Sequence, residues 1–369
     1  MKVLQLGKFY PIRGGVEKVM WDLTEGLSGR GVDCDMLCAE EGKGIRESVF
    51  NSHGRCIRVP SLGKLAATMI APAMVRWLKI HCREYDIVHI HHPDPMACLA
   101  LRLSAYEGKV VLHWHSDIVA QKFLLKFYSP LQNWLIRRAD IIIATSPVYA
   151  AQSPWLEDVS DKIVCVPIGI KDELRSHSTT EKKEGKVVLS VGRFVEYKGM
   201  RYVIDAAGCL PDDYEVRIVG DGPLKEKLEE QICRSALSGK VKLLGPLEDR
   251  ALAAEYNGCD VFVLGSIMKT EAFGIVQLEA MSCGKPVVAT RISGSGVAWV
   301  NEDGVSGINV TPCEPGEMAR AIVSICEDPV KYGRYCAGAR RRFEENFTID
   351  AMLGQVLAIY EKLMGNETL

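Results

Sequence analysis

The chain has 369 residues, of which 47% are hydrophobic and 25% charged, a composition that excludes a disordered, collagen-like or coiled-coil protein. Its formal net charge of -2 gives no excess positive field for a nucleic-acid backbone, so nucleic acid is not an expected partner. The thirteen cysteines include no C-x-x-C pair, which excludes a zinc knuckle and a disulfide framework and predicts a reducing, cytoplasmic location. No run of about 18 apolar residues occurs, so no membrane span is expected.

Short β-branched strands alternate with turns and helical segments along the whole chain, which is typical of parallel α/β units. The predicted strands are 3–6, 33–38, 87–90, 110–113, 141–144 and 163–166, then 187–191, 215–219, 241–244, 261–264 and 286–289. The polar stretch 172–186 has no hydrophobic period and is the predicted linker. The pattern predicts two doubly wound domains, residues 1–171 and 187–348, with ligands at the carboxyl ends of the strands.

Two segments of the first half are basic and apolar and contain no carboxylate. They span residues 48–83 and 118–139, and the first places Arg76 beside Trp77. Amphipathic helices of this composition either pack on their own sheet with a solvated basic face or lie on an anionic membrane surface. Both interpretations stay open, and the second would place the protein peripherally at the inner face of the plasma membrane.

Two adjacent glycines, Gly14 and Gly15, follow the first predicted strand at the start of a helix. Glycine lets a phosphate or sugar approach the backbone closely, and a helix N-terminus offers unpaired N–H groups. The spacing is not the G-x-G-x-x-G of a dinucleotide site. The turn therefore predicts either a ligand contact or a plain turn without a ligand.

Five of the eight histidines fall at the ends of two neighbouring predicted strands, as His89, His91, His92, His113 and His115. Alternate residues of a strand share a face, which makes metal ligation one hypothesis. No carboxylate or cysteine completes a ligand set at the usual spacing, so we predict no metal and expect neutral, hydrogen-bonded histidines. His115, just past its strand, is the histidine expected to reach a reacting centre.

The second half contains two pairs of charged residues in turns that follow strands. Arg193 and Lys198 lie between a strand and a helix, where two fixed cations suit a diphosphate and neutralise a departing charge without a metal ion. Glu271 lies in a glycine-containing turn, and Glu279 lies eight positions later inside an apolar helix. Carboxylates accept paired hydrogen bonds from vicinal hydroxyls, so this spacing suits one sugar at the turn and a ribose beyond it.

Taken together, these motifs resemble the retaining GT-B glycosyltransferases of family four. The matching segments are Pro11-x-x-Gly14-Gly15-x-Glu17, the His115 turn, Gly192-Arg193-x4-Lys198-Gly199, Gly220-Asp-Gly-Pro, and Glu271-x7-Glu279 within Glu-Ala-Phe-Gly. They occur in the family's order along nearly the whole chain. The resemblance implies the GT-B fold, an α/β architecture of two Rossmann-like doubly wound parallel-sheet domains facing a central cleft. It also implies that the last segment, about 349–369, is helical and packs back on the first domain.

The resemblance implies roles for the residues on the phosphate side of the donor. Gly14 and Gly15 would contact the donor diphosphate or sugar. Arg193 and Lys198 would bind the diphosphate, and no metal or other cofactor would be needed.

On the sugar side, the resemblance implies that Glu271 holds hydroxyls of the transferred sugar together with backbone N–H groups at Gly274 and Ile275. Glu279 would hold the nucleotide ribose. His115 would bind a donor-sugar hydroxyl and support an oxocarbenium-like transition state.

The implied reaction moves a hexosyl group from a nucleoside diphosphate sugar to a glycan or lipid-linked acceptor, with retained anomeric configuration, in cell-surface polysaccharide synthesis. No carboxylate of the first-half motifs stands out as a covalent nucleophile, which favours front-face attack. The segment His113-Trp-His115-Ser-Asp117 is similar to that of polysaccharide and lipopolysaccharide mannosyl- or rhamnosyl-type transferases. That likeness favours a GDP-sugar over a UDP-sugar.

Several other functions are compatible with repeated βα units. A nicotinamide-dependent oxidoreductase would need G-x-G-x-x-G at its first turn, which this chain does not have. A catalytically silent sugar-nucleotide binder would keep the ribose and diphosphate contacts without turnover. A GT-B-fold sugar-nucleotide epimerase or phosphorylase would share the fold, although the spacing of the two glutamates is that of transferases.

Overall fold

A computed structural model describes residues 1–12, 14–65, 68–118, 122–177 and 185–365 of the chain. The chain divides into two compact units. The first unit consists of Met1–Gly169 together with Ile349–Leu369, and the second of Ile170–Thr348. The last segment of the chain therefore belongs to the first unit rather than to the unit that precedes it in sequence.

The first unit is built on an eight-stranded sheet with the order β10-β9-β8-β7-β1-β2-β4-β3. Its strands are β1 (Lys2–Tyr10), β2 (Asp33–Glu41), β3 (Arg46–Asn51), β4 (Gly54–Ser61), β7 (Ile87–His92), β8 (Lys109–Trp114), β9 (Ile141–Ala144) and β10 (Ile163–Cys165), and a separate hairpin is formed by β5 (Lys64–Leu65) and β6 (Thr68–Met69). All neighbours in the sheet pair in parallel except β3 and β4. Parallel pairing requires crossover connections, which are mostly helices.

The helices of the first unit are α1 (Gly15–Gly29), α2 (Pro72–His81), α3 (Pro95–Ser104), α4 (Lys122–Arg138), α5 (Pro147–Gln152) and α13 (Ile349–Leu363). The local sequence explains where α3 begins. Asp94 caps this helix by accepting from the N–H groups of Met96 and Ala97, and Pro95 occupies its first turn. Helix α13 packs on α1, where Leu353 fills the space left by Gly26 and Arg30 pairs with Asp350 at 2.6 Å.

The second unit is a six-stranded parallel sheet with the order β13-β12-β11-β14-β15-β16. Its strands are β11 (Lys186–Val191), β12 (Tyr214–Val219), β13 (Val241–Gly245), β14 (Val261–Leu264), β15 (Val287–Thr290) and β16 (Gly307–Val310). Its helices are α6 (Met200–Ala207), α7 (Lys225–Arg234), α8 (Asp249–Gly258), α9 (Ile275–Ser282), α10 (Val297–Val300), α11 (Pro315–Cys326) and α12 (Pro329–Asn346). Numbered within the unit, the strand order is 3-2-1-4-5-6, the Rossmann order.

The prediction of two doubly wound α/β sheets is confirmed, and each of the eleven predicted strands overlaps an observed one. Strands β3, β4 and β16 of the two sheets were not predicted, nor were the two short strands β5 and β6. Strand β3 is a mostly exposed edge strand without an apolar pattern, and β16 begins at a glycine.

The predicted helix over 48–83 is wrong except for α2. Residues 54–61 form β4, which lies between β2 and β3 in the sheet. The basic residues of this part are neutralised by their neighbours: Arg55 pairs with Asp35 at 3.1 Å and Arg58 lies 3.6 Å from Glu40. The second basic segment, 118–139, does contain a helix, α4, and its residues 119–121 lie outside the described residues.

The stretch predicted as a linker, 172–186, belongs to the second unit. Asp172 pairs with Arg340 of α12 at 2.5 Å, Leu174–His177 forms a short 3-10 turn, and the carbonyl of Leu174 accepts from Asn257 of α8. Residues 178–184 of the predicted linker lie outside the described residues. The chain thus enters the second unit at Ile170, earlier than the sequence predicts.

Candidate functional site

In the second unit, the strand order reverses direction between β11 and β14, which makes this the point where a doubly wound sheet binds its ligand. The turn after β11 contains Arg193 and Lys198, and the turn after β14 contains Glu271. Three of the residues singled out in the sequence therefore follow the two strands that flank this point.

The turn with Arg193 is held by close backbone packing against the loop Gly220-Asp221-Gly222. The N–H of Phe194 donates to the carbonyl of Asp221 at 2.8 Å. A Cβ at Gly220 would lie 2.0 Å from the carbonyl oxygen of Gly192, and one at Gly222 would lie 2.6 Å from that of Phe194. Both glycines have positive φ angles, so only glycine fits without strain. The Gly-Asp-Gly segment thus supports the Arg193 turn, a role that its sequence pattern did not reveal.

Lys198 and Glu271 are in direct contact. The Nζ of Lys198 lies 2.5 Å from Oε2 of Glu271, which also accepts from the hydroxyl of Ser266 at 2.8 Å. Burial lowers the pKa of Lys198, but the Glu271 charge and the neighbouring Tyr197 raise it by more, and the net shift is upward. Lys198 is therefore a cation at neutral pH. The exposed Arg193 makes no ion pair with any residue that the structure describes.

The turn that follows Glu271 leads into the N-terminus of α9. Gly274 has a φ of 76°, and a Cβ there would lie 2.6 Å from Cδ2 of Leu264, so glycine is required. No side chain caps α9, whose first helical residue is Ile275. The N–H groups of a first turn have no partner within the helix and attract anions and hydroxyl oxygens. Gly274 and Ile275 thus present donors next to the Lys198–Glu271 pair.

Glu279 lies one turn into α9, apart from that pair. Its Oε2 accepts from the hydroxyl of Tyr256 in α8 at 2.5 Å. Burial raises the pKa of Glu279, and the Tyr256 hydroxyl opposes this shift. Tyr256, which is fully buried, orients the carboxylate, and no motif in the sequence indicated this contact.

In the first unit, the first of the two glycines after β1, Gly14, lies against the carboxylate of Glu17. Gly14 is the N-cap of α1, which begins at Gly15, and a Cβ at Gly14 would lie 2.0 Å from Oε2 of Glu17. Glycine at this position leaves room for the Glu17 side chain to fold back over the helix N-terminus. A carboxylate there interacts favourably with the positive end of the helix dipole, so an incoming phosphate would meet like charge.

A buried cation, Lys8, and a buried carboxylate, Asp94, lie close to this turn, and no motif in the sequence indicated either of them. The N–H of Lys8 donates to Oδ2 of Asp94 at 2.5 Å, and its Nζ donates to the carbonyl of Pro93 at 2.5 Å. Burial lowers the pKa of Lys8 and raises that of Asp94. The sequence does contain a signal for each of them. One is a lysine near the end of the first buried strand, and the other is an aspartate in the Pro-Asp-Pro turn that follows β7.

Four of the five predicted histidines form a buried stack: His89 and His91 on β7, His113 on β8 and His115 just past it. Ring centroids of His89 and His91 are 4.8 Å apart, those of His113 and His115 4.0 Å, and those of His91 and His115 5.2 Å. His92 lies apart from the stack, on Trp114 at 3.8 Å. Burial holds the pKa of His89, His91 and His115 well below the usual value and lowers that of His113 to about 3. All four are therefore neutral at pH 7.

His89, His91 and His113 place one nitrogen each within 4.8 Å of one another, so they are the candidate metal ligands among the described residues. Their rings are nearly parallel, with interplanar angles of 11° to 26°. An imidazole binds a metal in its own ring plane, and one ion cannot lie in three stacked planes. The arrangement fits stacking and hydrogen bonding better than metal ligation.

None of the described helices is both long and apolar enough to cross a bilayer. The exposed cations that remain among the described residues of the first basic segment are Lys64 on β5 and Arg76, Lys79 and Arg83 on and just after α2. Ile80 of the same helix is 64% exposed, and Leu103 of the neighbouring α3 is 46% exposed.

Two family models match the chain and together cover most of it. The model described as "Glycosyltransferase Family 4" matches residues 13–174, and "Glycosyl transferases group 1" matches residues 171–346. O-antigen chain mannosyltransferase C of Escherichia coli is 32% identical to the chain, with all of both proteins covered. D-rhamnosyltransferase WbpZ of Pseudomonas aeruginosa is 30% identical over 94% of this chain and 92% of that protein.

Solved structures of similar fold include sucrose-phosphate synthase from Thermosynechococcus elongatus, with a TM-score of 0.82, 22% identity and complete coverage of both chains. HepE of Anabaena in complex with UDP-glucose has a TM-score of 0.76 and 24% identity, with 98% of this chain and 100% of that chain covered. At these identities the likeness establishes the fold.

Proposed function

This chain belongs to glycosyltransferase family 4 and is a glycosyltransferase of the GT-B fold, and we propose that it transfers a mannosyl- or rhamnosyl-type hexosyl group to a glycan or lipid-linked acceptor. The donor is a nucleoside diphosphate sugar, with a GDP-sugar favoured over a UDP-sugar. The product belongs to cell-surface polysaccharide synthesis, in keeping with the names of the mannosyl- and rhamnosyltransferase relatives.

The Lys198–Glu271 pair beside the N-terminus of α9 is the observation that carries this proposal. We assign Arg193 and Lys198 to the diphosphate, because both are cations at the end of β11. Glu271, with the N–H groups at Gly274 and Ile275, is assigned to hydroxyls of the transferred sugar. Glu279, oriented by Tyr256, is assigned to the ribose.

In the first unit, we assign His115 to a hydroxyl of the donor sugar. Its ring is neutral, so it contributes a hydrogen bond rather than a charge. Gly14 and Gly15 are assigned to the sugar rather than to the diphosphate, because Glu17 already places a carboxylate at this helix N-terminus.

We propose front-face transfer with retention of configuration. The acceptor oxygen forms a bond to the anomeric carbon while the bond to the diphosphate oxygen breaks, and the departing phosphate oxygen takes the acceptor proton. Asp117 is the carboxylate nearest to His115 in sequence, and it accepts from Trp114 at 3.0 Å and from Ser153 at 2.8 Å. A carboxylate committed to these contacts is a poor candidate for a covalent nucleophile. The protein then acts by positioning and by stabilising the leaving group.

A lipid-linked acceptor would bring the protein to the inner face of the plasma membrane. The face for this contact would be α2 and α3, where exposed aliphatic residues lie among Arg76, Lys79 and Arg102. Such a face combines apolar burial with attraction to anionic lipids. The strand β4 is excluded from it, because its arginines are paired within the sheet.

Thermal unfolding with GDP, UDP, ADP and dTDP tests the donor class. A ligand at 100 times its dissociation constant adds about 2.7 kcal/mol of stability, which is easily measured. We expect GDP to raise the unfolding temperature most, and Glu279→Gln to remove most of the rise. A rise with UDP alone would overturn the assignment to GDP.

Transfer itself is tested with the matching nucleotide sugar and extracted polysaccharide or lipid-linked glycan. We expect nucleotide release that depends on the acceptor, and a product whose NMR coupling constant at the anomeric position matches the donor. Nucleotide binding without turnover would point to a silent binder. An epimerised nucleotide sugar formed without an acceptor would point to an epimerase.

A further inference from the structure

A chain of hydrogen bonds runs through the buried interior of the first unit from α13 to His115. The side-chain amide nitrogen of Gln5 donates to the hydroxyl of Tyr360 at 3.0 Å. Oε1 of Gln5 lies 2.8 Å from Nε2 of His91, and Nδ1 of His91 lies 2.9 Å from Nε2 of His115. Gln5, His91 and Tyr360 have no exposed surface, and His115 is 4% exposed. Residues from both ends of the chain therefore meet in one buried network.

With the Gln5 amide oriented as it is in the structure, the chemistry of the groups fixes the direction of this chain. A carbonyl oxygen only accepts, so Nε2 of His91 carries the proton that meets Gln5. Neutral imidazole has one donor and one acceptor nitrogen, so Nδ1 of His91 accepts and Nε2 of His115 donates to it. The remaining nitrogen of His115, Nδ1, carries no proton.

The other end of the chain is consistent with the same direction. The Tyr360 hydroxyl accepts from Gln5 and donates to Nδ1 of His89, which lies 2.5 Å away. The three inner members, Gln5, His91 and Tyr360, then each use a donor and an acceptor without conflict, while Nε2 of His89 and Nδ1 of His115 have no partner among the described residues. A reversed Gln5 amide would reverse every donor in the chain and place the proton of His115 on Nδ1, so the orientation of one glutamine decides what His115 offers.

Nδ1 of His115 is buried and has no hydrogen-bond partner among the described residues. A buried acceptor without a partner is costly unless a ligand or water satisfies it. The stacked rings of His91 and His113, 5.2 and 4.0 Å away, limit rotation of the His115 ring. The nitrogen is therefore held in one place as well as in one protonation state.

We propose that Gln5 is a positioning residue for His115. Through His91 it keeps the His115 proton on Nε2, so that Nδ1 is available to accept a hydrogen bond from a substrate hydroxyl. The identity of that hydroxyl as one of the donor sugar rests on the proposed function, whereas the tautomer does not. A neutral acceptor of this kind recognises an O–H group and gives no advantage to a phosphate oxygen.

A second buried glutamine, which contacts another histidine of β7, provides a matched control. Gln132 of α4 is 1% exposed, and its Oε1 lies 3.2 Å from Nε2 of His92, the residue next to His91. The ring of His92 stacks on Trp114 and does not hydrogen-bond to a side chain of the chain that ends at His115, although the backbone carbonyl of His92 accepts from the backbone N–H of His115 at 3.2 Å. The substitutions Gln5→Leu and Gln132→Leu therefore each remove a buried glutamine from a β7 histidine, and only the first interrupts the chain.

The tautomer is measured by long-range ¹H–¹⁵N correlation on the full-length protein labelled with ¹⁵N-histidine, because unprotonated and protonated ring nitrogens resonate far apart. His115 is assigned by the signals lost in His115→Gln. In the wild type we expect an unprotonated Nδ1 and a protonated Nε2. In Gln5→Leu we expect both nitrogens to move toward averaged values, and in Gln132→Leu we expect His115 to keep the wild-type pattern.

A protonated Nδ1 of His115 in the wild type overturns the proposal without any variant having to fold. So does an unchanged His115 pattern in a folded Gln5→Leu protein, or an equal change in Gln132→Leu. Equal populations of the two tautomers would halve the competent fraction, so kcat/KM for the donor should fall about twofold in Gln5→Leu alone. If His115 shows the expected tautomer but the protein transfers no glycosyl group from any nucleotide sugar, this proposal stands and the result counts against the proposed function.

Discussion

The Nζ of Lys198 lies 2.5 Å from Oε2 of Glu271, although the two residues are 73 positions apart in the chain. Their side chains are only 11% and 10% exposed. A cation proposed for the diphosphate and a carboxylate proposed for the sugar are thus joined before any ligand binds. The carboxylate of Glu271 raises the pKa of Lys198, and the contact holds both side chains in place, which is the kind of preorganisation that transition-state stabilisation requires.

Breaking this pair should destabilise the second unit. Lys198→Met leaves Glu271 as an uncompensated, largely buried charge, and we expect a loss of about 3 kcal/mol in the free energy of unfolding. The double variant Lys198→Met with Glu271→Gln removes both charges and should recover on the order of 1–3 kcal/mol of that loss. Denaturant unfolding of the four proteins in this cycle measures the coupling.

The pair formed by Lys242 and Glu215 serves as the control for that cycle. Its atoms are 2.7 Å apart, but the side chains are 51% and 28% exposed. Exposed pairs contribute less than about 1 kcal/mol. A coupling for Lys198 and Glu271 no larger than for this surface pair would contradict the importance given to their burial.

Arg193→Ala should lower turnover by about a hundredfold or more while leaving stability unchanged, because the arginine is exposed and its proposed role lies in stabilising the departing diphosphate. Steady-state kinetics and denaturant unfolding measure the two quantities. Arg201 of α6 is the control, since its side chain is 53% exposed and lies 3.8 Å from Glu196. Wild-type turnover in Arg193→Ala, or an equal loss in Arg201→Ala, would remove Arg193 from the proposed site.

Much of the fold could be predicted because its strands are buried on both faces and read as continuous β-branched runs. Residues 141–144 and 261–264 are examples in which predicted and observed bounds agree. Strand β16 was not predicted from the sequence because it is short and begins at Gly307, where a Cβ would lie 1.7 Å from the carbonyl oxygen of Val287. The strand can form because a glycine lets the two backbones approach closely. Such an approach leaves no apolar pattern in the sequence.

The candidate site could be predicted only as far as its residues lie in motifs. Arg193, Lys198 and Glu271 were singled out from sequence, but their contacts were not, because pairing between the ends of β11 and β14 depends on sheet order. The partners that orient the site residues come from distant positions: Tyr256 meets Glu279, and Tyr360 meets Gln5 across 355 positions. Neither tyrosine stands out from ordinary core residues in the sequence.

Glu279→Gln should weaken nucleotide binding by about tenfold or more, since a hydrogen bond to a charged group contributes about 1.5–3 kcal/mol. The same substitution should raise the unfolding temperature at pH 7. The pKa of Glu279 is raised by burial, so its protonated form favours the folded state, and that contribution is lost as the pH rises from the ordinary value of 4.5 through the raised one. Glutamine does not ionise and still offers an oxygen to Tyr256.

Thermal unfolding of wild type and Glu279→Gln across pH 4 to 8, with and without nucleotide, separates these effects. The difference in unfolding temperature should shrink below about pH 4.5, where wild-type Glu279 is protonated in both the folded and the unfolded chain. If Glu279→Gln were less stable than the wild type at pH 7, contacts of the ionised Glu279 carboxylate would outweigh the cost of its burial.

Activity should persist in EDTA. The charge of a departing diphosphate would be met by Arg193 and Lys198, and the stacked histidines offer no common point for a metal ion. Initial rates are compared before and after dialysis against EDTA, with addition of magnesium or manganese as the control. If EDTA abolished activity and either ion restored it, the assignment of Arg193 and Lys198 as the only cations that the reaction needs would be refuted.

The pH dependence of kcat/KM should show no limb from His115 between pH 5 and 8. Burial holds the pKa of His115 well below its usual value, and its neighbours His113 and His91 act in the same direction, so the ring remains neutral over this range. His115→Ala should therefore lower kcat/KM by a similar factor at every pH rather than change the shape of the profile. The measurement is kcat/KM for the donor at half-unit pH intervals in both proteins. An acidic limb between pH 6 and 7 that disappears in His115→Ala would show that the ring takes up a proton in the free enzyme, and a charged His115 could not serve as the neutral acceptor proposed here.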